Sequence, residues 1–581
     1  MEYLPIQEFS NKWSISKRRI QILCSSGRIN GAKMLGNMWV IPENAQRPTD
    51  ARTKNPSVVS EKTDEPNVRR ELKKLLRNLF YQTETLHIAE SEQKRFVLSE
   101  IACGLCAFYL REKTISSTIR QKLYKDISGK EILPIEYQKL MQPVSDFIEK
   151  YKNAPELDNL LSWAYQYTNK LIKGNPYGQT QFFTEKYMIN YLIQAVPDLQ
   201  DAGKIVDPCA GGGNFLVEAL EFICAQNRSQ KKDFIQTVLS YVTKLYGYDI
   251  DCDITRVALV NIRLRVLAIL NRNNASISFS LWDQIHPNIF QSTLPDPICG
   301  SLSTDNRMVR NILNGTVTEI DSALGDADVV LTNPPFATIK GMSGEQKEFL
   351  KKNYPDTNCD MCVSYFDAIY KMLKPSGICG IVSQNSWMHL KTFQSVRNRI
   401  TSQYTIYKIV NLGSGAFQDL SGEKSNVSLL VLGKDTVHNN RIEVMNLNEL
   451  SLHDKIKALR ANKNSIYIPQ NEIDRVNGYD FTEKGTFNHI LLNQDSYKNI
   501  AVPMQGTSTG NAKELVGYFW EHFGDPEWVI VSNGGGYCRW QGLNNSVVKW
   551  GKDGEYIKAQ SGSALRNVKY FPETQMVFSD T

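Results

Sequence analysis

The sequence predicts an α/β fold built on a mostly parallel sheet with helices on both faces. Between residues 177 and 434, short apolar strands alternate with helical stretches, which is typical of such sheets. Glycine-rich or polar segments follow several of these strands, and ligands bind at the carboxyl ends of strands in this architecture. We expect strands at 204–206, 245–248, 276–280, 328–331, 378–382, 406–410 and 427–432.

Length and composition indicate a large globular protein. The chain of 581 residues exceeds one ordinary hydrophobic core, so we expect several folded units. No apolar run reaches the roughly 18 to 20 residues that span a bilayer, and the N-terminal segment has no signal-peptide pattern. The 11 cysteines are spread irregularly, which favours reduced thiols. We therefore expect a cytoplasmic protein with no membrane partner.

Two cysteine pairs have a spacing that resembles a metal site, Cys103 with Cys106 and Cys359 with Cys362. The pairs are far apart in the chain, and neither has a nearby pair of histidines. Cys103 and Cys106 fall on one face of a predicted helix, where small buried thiols are common. We expect no metal site.

Residues 1–46 predict a small basic domain. Residues 1–56 hold nine Lys and Arg against four Asp and Glu, and a basic helix begins after Ser16. The order of helix, basic helix and the short strand MWVIP resembles the winged helix-turn-helix of excisionase and MerR-like proteins. That resemblance implies DNA contacts for Lys17, Arg18 and Arg19. The alternative is a structural domain with a solvated basic face.

Residues 47–67 are rich in Pro, Thr, Ser and charged residues, which predicts a linker. Residues 68–172 carry apolar residues at helical spacing, among them Leu72, Leu76 and Leu79, which predicts a helical domain. The sheet domain is assigned to residues 173–440, and residues 441–581 form a further C-terminal region.

The segment DPCAGGGNFL, residues 207–216, follows the first predicted strand of the sheet. Its three glycines let the backbone approach a bound molecule, and the helix after them points its N-terminus at the same place. The pattern is neither GxGxxG nor GxxxxGK[ST], and the carboxylate of Asp207 would repel a phosphate. The segment therefore favours a ligand with a positive centre.

Carboxylates follow the next two predicted strands. Asp249 ends the second strand and can accept hydrogen bonds from both hydroxyls of a ribose. Asp251 is better interpreted as a helix cap or a solvated residue. Asp283 follows the predicted third strand and can accept from an adenine amino group, with a helix N-cap as the alternative.

The segment Asn333-Pro334-Pro335-Phe336 follows a buried apolar run. Proline has a fixed φ and no N–H, so the two prolines predict a stiff loop. The Asn333 side-chain oxygen and the Pro334 carbonyl can accept from an amino group, while Phe336 can stack on a flat ring. The alternative is a tight turn with the phenylalanine in the core.

In this order, the four motifs resemble the S-adenosylmethionine-dependent N6-adenine DNA methyltransferases of type I and type IIG restriction-modification systems and of BREX phage defence. The resemblance spans roughly residues 175–435 and implies a Rossmann-like, seven-stranded methyltransferase domain that binds S-adenosylmethionine and double-stranded DNA. It also allows for a separate restriction or specificity subunit. The implied catalytic residues are Asn333, Pro334, Pro335 and Phe336. The implied cofactor-binding residues are Phe183, Thr184, Asp207, Pro208, Ala210, Gly211, Gly213, Asn214, Phe215, Asp249, Ile250, Asp283 and Asn333.

The segment PYGQTQFFTEKY, residues 176–187, resembles a further cofactor motif of that family. The motif usually reads Thr-Pro, whereas Glu185 follows Thr184 in this chain.

Residues 441–581 resemble part of a target-recognition region. Its Gly, aromatic, Arg and Asn density implies DNA contacts for Thr509, Asn511, Tyr537, Arg539 and Trp540. The alternative is an aromatic β-rich core. The sequence ends within a predicted strand and turn, so we expect this region to be incomplete.

Three functions remain open. The first is a site-specific adenine N6-methyltransferase of DNA in restriction-modification or phage defence. The second is a methyltransferase of RNA or of protein glutamine, because such enzymes also use an Asn-Pro-Pro loop; the N-terminal and C-terminal regions argue against it. The third is a catalytically inert DNA-binding regulator, against which the intact motifs argue.

Overall fold

The computed structural model describes residues 3–13, 20–21, 24, 29, 31–35, 38–43, 45, 68–85, 88–131, 141–172, 184–227, 233–294, 300–303, 307–320, 325–337, 339–417, 426–435, 439–462, 465–473, 506–531 and 545–568.

A small antiparallel sheet begins the chain. Its elements are β1 (Tyr3–Pro5), α1 (Ile6–Trp13), β2 (Lys33–Leu35) and β3 (Met38–Pro42), with the strand order β1-β3-β2. Phe9, Ile20 and Ile41 are fully buried between them. Lys17, Arg18 and Arg19 lie outside the described residues, so the winged helix-turn-helix stays a prediction.

The helices predicted between residues 68 and 172 are present. They are α2 (Val68–Thr85), α3 (Glu90–Leu110), α4 (Ser117–Ser128), α5 (Met141–Lys150) and α6 (Leu160–Leu171). In α2 the stripe of Leu72, Leu76 and Leu79 is fully buried, as the helical spacing predicts. Ser116 caps α4, and its hydroxyl accepts from the backbone N–H of Ile119.

The following segment alternates helices and strands. Its first half contains α7 (Lys186–Ala195), β4 (Ile205–Asp207), α8 (Asn214–Gln226), α9 (Phe234–Val242), β5 (Leu245–Asp249), α10 (Cys252–Arg272), β6 (Asn288–Leu294), β7 (Arg307–Asn311), β8 (Val317–Ile320) and β9 (Ala327–Thr332). Its second half contains α11 (Gly344–Asn353), α12 (Met361–Met372), β10 (Leu373–Gln384), α13 (Gln394–Gln403), β11 (Thr405–Gly413), β12 (Val427–Gly433), β13 (Arg441–Asn446), α14 (Leu452–Ala461), β14 (Ser465–Pro469) and α15 (Gln470–Ile473).

These strands form one sheet with the order β14-β13-β11-β12-β10-β9-β4-β5-β6-β7-β8. From β6 through β5, β4 and β9 to β10, neighbouring strands are parallel. β12 is inserted antiparallel between β10 and β11. The predicted mixed α/β fold with a mostly parallel central sheet is confirmed.

Helices cover both faces of this sheet. In β4, Ile205 packs into one apolar cluster and Val206 into the other, because successive side chains of a strand point to opposite faces. The first cluster contains α8, α10 and the helices of residues 68–171, so these helices share a core with the sheet. The second cluster contains α12 and α13.

The predicted strand at 276–280 is wrong, whereas the other six predicted strands are confirmed as β4, β5, β9, β10, β11 and β12. Residues Phe279–Gln284 form a 3-10 helix, and the third parallel strand is β6. Phe279 and Trp282 stack with their ring centroids 5.4 Å apart. Their spacing of three residues fits one turn of a 3-10 helix, in which positions i and i+3 eclipse.

The C-terminal described segment forms a second small sheet. It contains α16 (Ala512–Leu515), β15 (Val516–Tyr518), β16 (Trp528–Val531), β17 (Ser546–Lys549) and α17 (Glu555–Lys558), with the strand order β15-β17-β16. Leu515, Val548 and Ile557 form its core. Arg539 and Trp540 lie outside the described residues.

No helix in the described ranges is long and apolar enough to cross a bilayer. The described ranges also hold no cluster of three potential metal ligands from His, Cys, Asp or Glu. Cys103, Cys106 and Cys362 are buried free thiols.

Asp126 of α4 ties this helix to the sheet domain, and its replacement tests that connection. Its Oδ2 accepts from Arg263 Nη1 of α10 at 2.7 Å and from Trp282 Nε1 at 2.8 Å, and both donors belong to buried side chains. Asp126→Leu leaves the guanidinium buried without its carboxylate, so we expect the free energy of unfolding to fall by about 3–5 kcal/mol in urea denaturation. The exposed pair of Glu149 and Lys152 provides the control, since Glu149→Gln should cost less than about 0.5 kcal/mol. Similar losses in the two variants would contradict the prediction.

Candidate active site

Three of the predicted motifs emerge at one edge of the sheet. β5 and β9 both pair with β4 in parallel, with Asp207 opposite Gly247 and Val206 opposite Val330. The carboxyl ends of the three strands therefore lie side by side. The glycine turn, the carboxylate of Asp249 and the Asn-Pro-Pro-Phe loop follow these ends.

The glycine turn is hydrogen-bonded to the end of β5. The backbone N–H of Ala210 donates to the carbonyl of Tyr248 at 2.9 Å, and that of Gly211 donates to Asp249 Oδ2 at 3.0 Å. Gly211 and Gly213 have φ values of +50° and +79°, which favour glycine. The turn is thus held against the carboxylate expected to bind a ribose.

Helix α6 supports the same turn from its other side. Ser162 Oγ donates to Asn214 Oδ1 at 2.7 Å. Asn261 Nδ2 of α10 donates to Ser162 Oγ at 2.7 Å and to the carbonyl of Gly212 at 2.8 Å. A Cβ atom at Gly212 would lie 2.6 Å from Ser162 Oγ, so this position has no room for a side chain. Sequence reasoning missed Ser162 and Asn261, because neither belongs to a recognisable motif.

Asp207 and Asp249 are carboxylates at neighbouring strand ends, and Asp207 is buried whereas Asp249 is half-buried. Burial raises the pKa of Asp207 to about 7, and the neighbouring charge of Asp249 acts in the same direction. Burial also raises the pKa of Asp249 to about 6. Each accepts a backbone N–H, Asp207 from Cys209 at 3.0 Å and Asp249 from Asp251 at 3.1 Å. A cation bound beside them would favour their ionised forms.

Asp251 is the N-cap of α10, which confirms its interpretation as a helix cap. Its Oδ1 accepts from the backbone N–H of Asp253 at 2.9 Å. Its Oδ2 accepts from the hydroxyl of Tyr165 at 2.5 Å. Because Tyr165 belongs to α6, this helix contacts the site at a second point.

The amide of Asn333 is held in one orientation. Its Nδ2 donates to Thr184 Oγ1 at 3.0 Å. Its Oδ1 is buried and accepts no hydrogen bond in the described part of the chain. Pro334 is buried, Pro335 is exposed, and Phe336 is half-buried with one side against the core. The loop therefore combines an unused amide acceptor with a partly accessible aromatic ring.

The predicted placement of Asp283 is wrong. It lies in the 3-10 helix that precedes β6, toward the amino end of that strand rather than at its carboxyl end. Its side chain is 65% exposed and forms an ion pair with Lys122 Nζ at 2.9 Å. The residue of β6 that pairs in register with Asp249 is instead Gln291, in the middle of the strand, and its Nε2 donates to the carbonyl of Ile250 at 3.3 Å.

The other predicted site residues fall into two groups. Pro208, Ala210, Asn214 and Phe215 are buried around the glycine turn, and Ile250 is half-buried. Phe183 lies outside the described residues, as do Lys17, Arg18, Arg19, Arg539 and Trp540.

The fold and the residues at the carboxyl ends of its strands define the class of this protein. It is an α/β protein in which a glycine turn, acidic strand ends and an Asn-Pro-Pro loop form one site. Residues 243–417 match the sequence profile of the Eco57I restriction-modification methylase family. The resemblance to adenine-specific methyltransferases inferred from the sequence is confirmed by this match and by two relatives.

The chain is 24% identical over 264 residues to the adenine-specific methyltransferase BrxX of Escherichia coli O9:H4 (strain HS), a match that covers 42% of this chain and 21% of that protein. It is 23% identical over 439 residues to the adenine-specific methyltransferase PglX of Lacticaseibacillus casei (strain Zhang), which covers 61% of this chain and 36% of that protein. The chain is therefore similar to a part of each relative. The structure of the DrdV-DNA complex aligns with a TM-score of 0.49 and 16% identity, covering 79% of this chain and 51% of that chain.

The raised pKa of Asp207 predicts a pH-dependent gain in stability when the charge is removed. The pKa is about 7 in the folded state and lower in the unfolded state, so the folded protein is less stable when Asp207 is ionised. This loss of stability grows as the pH rises toward and through 7. We expect Asp207→Asn to raise the free energy of unfolding by up to about 4 kcal/mol at pH 8, and by less as the pH falls toward 5. Urea denaturation at both pH values measures this. Asp326→Asn, at an exposed ion pair with Lys204, is the control. A gain of equal size at both pH values would refute the burial argument.

Proposed function

We propose that the chain methylates the N6 amino group of adenine in double-stranded DNA at specific sites, with S-adenosylmethionine as methyl donor, in a restriction-modification or phage-defence system. The observation that carries the proposal is the amide of Asn333. Thr184 accepts a hydrogen bond from its nitrogen, and its buried oxygen, at the carboxyl edge of the sheet, accepts none from the residues that the structure describes. An amino group is the kind of donor that such an oxygen accepts.

The residues at the neighbouring strand ends fit a cationic nucleoside cofactor. The raised pKa values of Asp207 and Asp249 reflect the cost of burying their charge, which a sulfonium centre would offset. Gly211 and Gly213 would let the backbone approach the cofactor, and Ile250 would contact its base. When bound, S-adenosylmethionine supplies an electrophilic methyl group.

The chain's own residues would prepare the amino nitrogen. Its lone pair is delocalised into the ring, which makes it a poor nucleophile. Hydrogen bonds to Asn333 Oδ1 and to the Pro334 carbonyl favour a more tetrahedral nitrogen and return lone-pair density to it. Phe336 would stack on the adenine and hold the nitrogen in line with the methyl group. Such alignment can contribute up to about 7–11 kcal/mol, and the proton can leave after methylation, when the nitrogen is acidic.

Access to N6 within a duplex requires the adenine to be flipped out of the stack, at a cost of a few kcal/mol. The basic residues Lys17, Arg18 and Arg19 and the pair Arg539 and Trp540 are the proposed DNA contacts. Half-buried Thr509 and Asn511 belong to the proposed recognition region, where Asn511 Nδ2 donates to Glu514 Oε2 at 2.9 Å. A separate restriction or specificity subunit is a proposed partner.

Replacing Asn333 by Ala tests the proposed chemistry. We expect at least about a hundredfold loss of methyl transfer, because the acceptor acts on the reacting nitrogen, a loss comparable to that from removing one preorganised hydrogen-bonding group in other enzymes. Long-read detection of modified adenine in DNA from cells that express the chain measures it. Asn353→Ala is the control, at an exposed asparagine whose Nδ2 donates to the carbonyl of Phe349 on the same helix. Methyl label in RNA or protein alone would reject the DNA substrate, and cofactor binding by the wild type without any transfer would indicate an inert regulator.

Replacing Lys17, Arg18 and Arg19 together by Ala tests the proposed DNA contact of the N-terminal domain. If all three neutralise phosphates, the slope of log affinity against log salt concentration should become less steep by about 2.7. Titration of labelled duplex DNA over a range of salt concentrations measures the slope. A variant with Ala at the exposed residues Lys113, Lys130 and Lys152 removes the same charge elsewhere. Equal changes in the two variants would mean that net charge, rather than this domain, sets the slope.

A further inference from the structure

Glu185, at the N-cap of α7, is clamped by a side chain from outside the sheet domain. Its side chain is 6% exposed. Its Oε1 accepts from Arg69 Nη1 at 3.0 Å and its Oε2 from Arg69 Nη2 at 2.5 Å. A two-pronged contact of this kind determines the orientation of both groups. Arg69 lies in the first turn of α2, so the ion pair joins the helical segment to the start of α7.

The guanidinium of Arg69 is itself held in place. Its central carbon lies 4.2 Å from the ring centroid of Trp163, the residue that follows Ser162 on α6. A planar guanidinium that stacks on a ring and pairs with a carboxylate has little freedom left. Buried ion pairs add little net stability compared with apolar groups of the same size, so stability alone is a weak account of this pair.

The backbone at Glu185 shows what the clamp achieves. Its φ is −66° and its ψ is 138°, and −65° is the φ that a proline ring imposes. The preceding Thr184 is buried, and its hydroxyl accepts from Asn333 Nδ2. A rotation at position 185 would move Thr184 relative to α7, and the amide of Asn333 would lose the partner that sets its orientation.

We propose that Arg69 is a positioning residue of the methyl-transfer site. By holding Glu185 it keeps the Thr184 hydroxyl under the Asn333 nitrogen, so that the Asn333 oxygen faces the target amino group. The ion pair thus holds the backbone angle φ at position 185, which a proline ring would fix covalently. The inference rests on the function proposed above.

A rescue experiment in the full chain tests this role, with the variants Arg69→Met, Glu185→Pro and the two combined. The single-turnover rate of methyl transfer to adenine-unmethylated DNA is measured, together with the Kd for S-adenosylmethionine and the Tm. We expect R69M to lower the rate at least tenfold, and the double variant to recover at least a third of the wild-type rate, because proline restores the backbone angle without the clamp. The control is Lys74→Met, on the same helix at a 57% exposed lysine paired with Glu71. K74M should stay within twofold of the wild type.

The outcomes separate the inference from the function. An R69M variant that retains more than half of the wild-type rate overturns the positioning role, and so does an equal loss from R69M with and without proline at position 185. If R69M alone does not fold, the double variant decides, because it removes the guanidinium and the carboxylate together. A rate below a tenth of the wild type, at a Tm equal to that of the wild type, then rejects the role. A wild type that binds S-adenosylmethionine but methylates no DNA rejects the proposed function instead.

Discussion

The placement of two carboxylates at adjacent strand ends, Asp207 buried and Asp249 half-buried, is the constraint around which the site is built. Asp207 and Asp249 cannot both carry full charge there without a compensating cation or donor, and their raised pKa values express this cost. Backbone N–H groups of the glycine turn and of the start of α10 offset part of it. The remaining cost makes this edge of the sheet electrostatically favourable for a cation.

Helix α6 gives this edge its rigidity. Within one turn, Ser162 contacts the glycine turn, Trp163 supports the clamp on Glu185, and Tyr165 contacts the cap of α10. Each contact reaches a different wall of the site. The helical segment is thus more than a neighbour of the sheet, because it shares an apolar core with one face and supplies polar contacts at the edge that holds the candidate site.

Local patterns in the sequence predicted the strands and the loops that follow them, because an apolar run with a glycine or proline turn after it is a short-range signal. The strand at 276–280 was mispredicted because Ile277 and Phe279 alternate with serines, as apolar residues do in a strand. The spacing of Phe279 and Trp282 instead suits a 3-10 turn, and Asp283 was misplaced with the strand. Ser162, Asn261 and Arg69 could not be predicted. Their partners lie 49 to 116 residues away, so only the folded chain brings them together.

The close fit between Gly212 and Ser162 limits how the glycine turn and helix α6 can diverge or be exchanged between homologues. Since a Cβ at position 212 would meet the serine hydroxyl, the turn and the helix must change in concert during divergence. A chimaera that joins the sheet of one homologue to the helical segment of another would combine a glycine turn and a helix that do not fit each other. Gene shuffling among such proteins is therefore expected to keep residues 160–215 as one exchangeable block and to place crossover points elsewhere.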